Sequence, residues 1–154
     1  MWQRIQTVWL VAVVILMALF VSQPLTLFTL GDQTHLLGAW GITDLSRMKT
    51  FYSAWPIGVL GTLCAFIALV SIFLYKDSTG RTFQIRLGTL NILLMVGLLL
   101  YITFVVWSYS SATSAEIGIK AWLALPFVSI ILQLLAVRAV LRDETLVRMS
   151  NRLR

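Results

Sequence analysis

Four stretches of this chain are predominantly apolar over 18 to 23 positions: Ile5–Ser22, Ala54–Tyr75, Leu87–Tyr109 and Ile119–Leu141. Each approaches the roughly 20 residues that a helix needs to cross a hydrocarbon layer about 30 Å thick. In lipid every backbone N–H and C=O must be paired within the protein, so apolar segments of this length are confined to helices. A water-soluble core is excluded on the same ground, because the 59% hydrophobic and 12% charged residues are grouped in these runs rather than spaced around a core.

The charges lie between the runs and assign a direction to them. One set of helix ends holds nine basic residues: Arg4, Lys76, Arg81, Arg86, Arg138, Arg142, Arg148, Arg152 and Arg154. The other set holds three, Arg47, Lys49 and Lys120. Cytoplasmic loops retain Lys and Arg, so both termini are expected in the cytoplasm, as four crossings require. The net charge of +6 is then an asymmetry of one face, and no polyanionic ligand is needed to explain it. Trp55, Trp107 and Trp122, with Tyr52 and Tyr109, fall at the opposite ends, at headgroup depth. The first run resembles a secretory signal but lacks a small-x-small cleavage pattern in "ALFVSQPL", so an uncleaved signal-anchor helix ended by Pro24 is expected. Pro56 suits the first turn of the second helix, where its missing N–H costs nothing.

The fold expected is an all-α membrane protein, an up-down-up-down four-helix bundle forming a single integral membrane domain over residues 1–154. Its cytoplasmic link is "KDSTGRTFQIR" and its second external link "SSATSAEIG". The first external loop, residues 23–53, reads "LTLFTLGDQTHLLGAWGIT" in part, with Thr- and Leu-rich runs on either side of Gly31-Asp32. That pattern predicts a small β-hairpin or a strand and loop over the helix ends, with Gly38 and Gly41 weakening the second strand. Its apolar residues, among them Leu27, Phe28, Leu36, Leu37 and Trp40, require cover.

Few groups inside the spans carry chemistry. No Asp, Glu, Lys or His falls in the central part of any run, which argues against a proton relay or a carboxylate ion pathway. Cys64 reads as a small buried apolar group, and His35, with no second His or Cys nearby, does not read as a metal ligand. Ser71, Asn91 and Arg138 lie three or four residues from the inner ends and so at similar depth; the first two are expected to face the interior as a polar layer, with Arg138 joining them or reaching toward phosphate. Trp122, Pro126, Ser129, Gln133 and Ala136 recur every three or four residues and form one helical stripe, read as a packed face or a cavity lining, with a local bend at Pro126. Gly58 with Thr62 and Gly61 with Ala65 are small-xxx-small pairs that permit close helix approach. The tail, residues 142–154, places Leu146, Met149 and Leu153 opposite Arg148 and Arg152, as a short amphipathic helix on the inner surface would. Arg142, Arg148 and Arg152 are expected to meet headgroups or a partner. Nucleic acid is an improbable ligand for a tail without aromatic residues that already faces an anionic bilayer.

"MWQRIQTVWL" at the start and "LALPFVSIILQLLAVRAVLRDETLVRMSNRLR" at the end resemble a family of small bacterial integral membrane proteins classed as a domain of unknown function, family 4293. The resemblance implies a bacterial inner-membrane location and a four-helix plan, and brings no activity with it. Two functions are then expected to compete. The first is a non-enzymatic accessory or scaffold subunit, without cofactor, packing against other membrane proteins or its own copies. The second is a small-molecule or lipid transporter or binding protein with a cavity between the third and fourth helices, near Asn91, Ser129 and Gln133. An enzyme ranks behind both, because the only close acidic pair, Asp143-Glu144, adjoins arginines at a helix end.

Overall fold

A computed structural model of the chain describes residues 2–31, 33–44, 50–74 and 78–152. The long helices are α1 (Trp2–Ser22), α2 (Trp55–Phe73), α3 (Ser78–Thr113) and α4 (Leu125–Arg152). All four are long and apolar enough to cross a membrane. Each buries one narrow stripe: Gln6, Leu10, Val13, Met17 and Phe20 on α1; Ile57, Gly61, Cys64, Ala68 and Ser71 on α2; Gln84, Asn91, Met95, Leu98, Ile102 and Val105 on α3; Pro126, Ser129, Gln133, Ala136 and Val140 on α4. Spacings that alternate between three and four keep a stripe facing its neighbours along nearly parallel axes. Phe66, Phe73, Leu93, Leu100 and Ile131 point outward, leaving apolar residues all round each helix, as a lipid-facing bundle requires.

The helices close into a ring in which α1 and α3 each pack on both α2 and α4. Gly61 admits α1 at close range, since a Cβ there would lie 2.8 Å from Val21 Cγ2. Gly58 instead makes room for the ring of Trp40.

The segment expected to form a hairpin is a larger structure. Strands β1 (Thr26–Leu30), β2 (Gln33–Leu37), β3 (Gly41–Asp44) and β4 (Thr50–Ser53) meander, and β5 (Glu116–Ile119) joins from the α3–α4 link, giving the antiparallel order β4-β3-β2-β1-β5. The β1–β2 turn is at Gly31, with φ 57°; Asp32 lies outside the described residues. Gly38 and Gly41 do not interrupt the second strand. They bracket the reversal into β3, where Gly38 N–H donates to Gly41 O at 2.9 Å. The fifth strand was hidden because "EIGI" is short and gains its partner only when α3 delivers it beside β1, pairing Phe28 with Ile117 and Thr26 with Ile119.

The sheet closes one end of the bundle. Phe28, Leu37 and Ile42 project inward and join Phe20, Ile57, Ile102 and Val105 in one continuous core. Backbone bonds fasten sheet to helices: Gly58 N–H, one of the unpaired donors in the first turn of α2, reaches Ala39 O at 2.8 Å.

Three other expectations are corrected. The link expected between the second and third spans is helical from Ser78, because apolarity marks the lipid-crossing part of a helix and not its ends. Pro126 is the second residue of α4, preceded by a 3-10 turn at Ala121–Ala124, so it starts the helix and bends nothing. The tail is no separate helix, since α4 runs unbroken to Arg152, 28 residues or about 42 Å.

Candidate functional site

The most polar part of the interior lies between α3 and α4, toward the end away from the sheet. Gln84 sits on α3 two turns before Asn91, and Gly88 lies between them on the same stripe. A Cβ on Gly88 would fall 2.5 Å from Val137 Cγ2 and 3.3 Å from Gln133 Nε2, so the glycine is what lets α4 bring its amide against α3. Ser129 is one turn further toward the sheet on α4. Gln84, Asn91, Ser129 and Gln133 are all at most 3% exposed.

Ser71 joins this seam through its backbone. Near the end of α2 its carbonyl lacks a helical partner, and Gln84 Nε2 donates to it at 2.9 Å. Its own hydroxyl turns back along the helix and donates to Ile67 O at 2.8 Å. Other atoms of the seam make no hydrogen bond among the described residues: Gln84 Oε1, both amide atoms of Asn91, Ser129 Oγ and Gln133 Oε1. A buried polar atom left so costs about 1–3 kcal/mol. A cavity of about 10 Å³ touches Ser71, Gln84, Gln133 and Val137, room for about one water molecule. Neutral amides and hydroxyls can hold water or fix helix register. They cannot serve as an acid and base pair near neutral pH.

The sequence-derived residues divide on this geometry. Ser71 and Asn91 are fully buried in the bundle, whereas Arg138 is exposed and does not join them. At that depth a guanidinium inside the bundle would need a charged partner, and the described buried residues around Ser71 and Asn91 are neutral. Pro126, Ser129, Gln133 and Ala136 form the buried stripe of α4, but Trp122, on the preceding 3-10 turn, is 37% exposed and lies off it. Arg142 is exposed and lines a groove with Arg138. Arg148 and Arg152 belong to α4, and their side chains lie outside the described residues.

A second polar cluster, not anticipated from the sequence, lies where the sheet meets α3. His35 on β2 is in register with Phe28 on β1 and Asp44 on β3, so all three share the inward face. Tyr109 reaches them from α3: its Oη and His35 Nδ1 share a hydrogen bond of 2.7 Å, and its ring lies 4.8 Å from that of Phe28. His35 and Asp44 are 7% and 2% exposed, so a substrate would have to displace the sheet to reach them. The bond spans 74 residues, and no local signal marks it. Among the described residues no three His, Cys, Asp or Glu side chains are grouped to hold a metal.

At the same end an apolar pocket of about 270 Å³ opens between α3 and α4 under β5, with Ile102, Val106, Trp107, Ile119 and Phe127 among its walls. Buried Thr26 Oγ1, on its edge, makes no hydrogen bond among the described residues.

No curated protein matches the chain. The family model for a domain of unknown function, DUF4293, matches residues 2–153, covering the seam, the sheet and all four helices, and the chain belongs to that family.

Proposed function

We propose that this chain is a non-enzymatic accessory or scaffold subunit of the bacterial inner membrane, both termini cytoplasmic, that packs against other membrane proteins or further copies of itself. The observation that carries the reading is the filled interior at the place where a transported molecule would have to pass. Asn91, Ser129 and Gln133 are at most 1% exposed, and the cavity beside Gln133 has room for about one water. What the molecule presents instead is surface. The edge strand β5 is exposed along its length, and such an edge can be extended by another chain. Buried His35 and Asp44, with Tyr109 half-buried beside them, suit a tie between sheet and bundle better than catalysis. Mild-detergent extraction from native membranes followed by affinity capture and mass spectrometry is expected to recover a stoichiometric membrane partner or a homo-oligomer. A monodisperse monomer, with nothing captured after gentle cross-linking, would overturn the proposal. The orientation is tested apart from this, since a C-terminal reporter active only in the periplasm contradicts it.

One observation favours the second reading, a small-molecule or lipid binding protein: the apolar pocket between α3 and α4. It lies at the sheet end and not beside Asn91. Filling it with Val106→Trp should abolish retention of an apolar fluorescent probe if that reading holds, and leave retention unchanged if it does not.

A further inference from the structure

At the end of the bundle opposite the sheet, α1 and α4 border a groove of about 660 Å³. Ile5 and Trp9 of α1 form one wall, and Leu135, Arg138, Arg142 and Thr145 of α4 are on the other. The volume falls within the range of about 300–1,000 Å³ typical of small-molecule sites. Its chemistry has a direction along the helix axis. Leu135 and Trp9 lie toward the bilayer centre, while Arg138 and Arg142, one turn apart and so on the same face, lie toward the helix end. Both arginines are exposed. Arg138 is about 20 Å along α4 from Leu125, and Arg142 about 26 Å, which puts Arg142 near the inner edge of a hydrocarbon layer about 30 Å thick that begins at the sheet end, with Arg138 one turn deeper and long enough to reach toward it.

We infer that this groove is a binding site for an anionic phospholipid, its phosphate held by Arg138 and Arg142 and one acyl chain laid along Trp9, Ile5 and Leu135. Three features carry the assignment. An apolar wall ending in two guanidiniums complements an amphiphile with an anionic head and fits a zwitterionic lipid less well. The planar donors of Arg suit phosphate oxygens, which accept two parallel hydrogen bonds. The groove opens sideways between two helices, so a lipid enters it from the bilayer without crossing water. Trp9, an amphipathic ring beside the arginines, sits where indoles gather at the boundary of headgroup and chain.

The test uses the full chain in mild detergent, analysed by native mass spectrometry with phosphatidylglycerol or phosphatidylcholine added. One phosphatidylglycerol is expected to be retained in preference and to raise the melting temperature. Arg138→Gln with Arg142→Gln should lower that preference roughly thirty-fold, from two basic contacts of ordinary strength. Arg86→Gln, which removes an exposed charge of α3 at the same end of the bundle, should leave it unchanged. If the double variant does not fold, as judged by its melting temperature without lipid, the single variants carry the test, each expected to lose roughly five-fold. Equal retention of the two lipids, or an equal loss in Arg86→Gln, overturns the site and leaves only diffuse attraction. A photoreactive residue at Leu135 in native membranes should give a phospholipid adduct; a protein adduct there overturns the lipid assignment while supporting a partner on this face.

Discussion

The two ends of the bundle bury polar groups in different ways. At the sheet end, Tyr109 finds His35 at 2.7 Å in a core that includes Phe28, Ile42 and Val105, and buried Thr26 Oγ1 is left without a partner among the described residues. At the other end, Gln84 pairs with Ser71 O, but the amide of Asn91, Ser129 Oγ and Gln133 Oε1 have no partner among the described residues. The difference follows from what each neighbour can offer. A helix has spent its backbone groups on itself, so in the seam only side chains and helix ends are left to pair with, and three amides and a hydroxyl demand more bonds than these supply. A sheet meeting a helix adds cross-strand polar side chains at a fixed register, and one of them can be placed opposite a tyrosine.

The comparison can be broken at three points. Phe28→Ala removes a fully buried ring at the sheet end and should cost about 3–5 kcal/mol, read as a fall in melting temperature in detergent; a loss below about 1 kcal/mol would show that the sheet is not a packed part of the core. Tyr109→Phe, which keeps the ring against Phe28, should cost about 1–2 kcal/mol and show coupling to His35→Ala in a double-mutant cycle. Additive effects of the two changes would mean that the bond contributes nothing to stability. Gln133→Leu should be the mildest, neutral or stabilising by up to about 1 kcal/mol, because it replaces an amide with an unpartnered oxygen by an apolar group of similar size. A loss larger than that of Tyr109→Phe would invert the comparison and show that the seam is the better satisfied of the two.

The stripe Pro126, Ser129, Gln133 and Ala136 was legible in the sequence because a spacing of three and four is a local property of one helix. Ser71 and Asn91 were legible for a related reason, since polar residues within an apolar run have little place but the interior. Gln84 was missed although it is the residue that bonds to Ser71, because it lies in a polar stretch that resembles a loop. For Arg138 depth alone left two places open, joining the layer or reaching toward phosphate, because equal distance from a helix end says nothing of which way a side chain points round the axis. His35 looked isolated because Tyr109 and Asp44 reach it only through strand register and a helix 74 residues away.

Length and composition by themselves determined that four segments are able to cross a membrane, because the cost of burying charge in lipid acts on each segment separately. They also determined the strong charge asymmetry between the two sets of helix ends. Tertiary structure alone decided that β5 completes a five-stranded sheet, that Gly88 lets Gln133 approach α3, and that Trp9 shares a groove with Arg138 and Arg142. Each of these joins residues far apart in the chain, and the energy that selects them comes from packing and pairing that exist only once the helices have met.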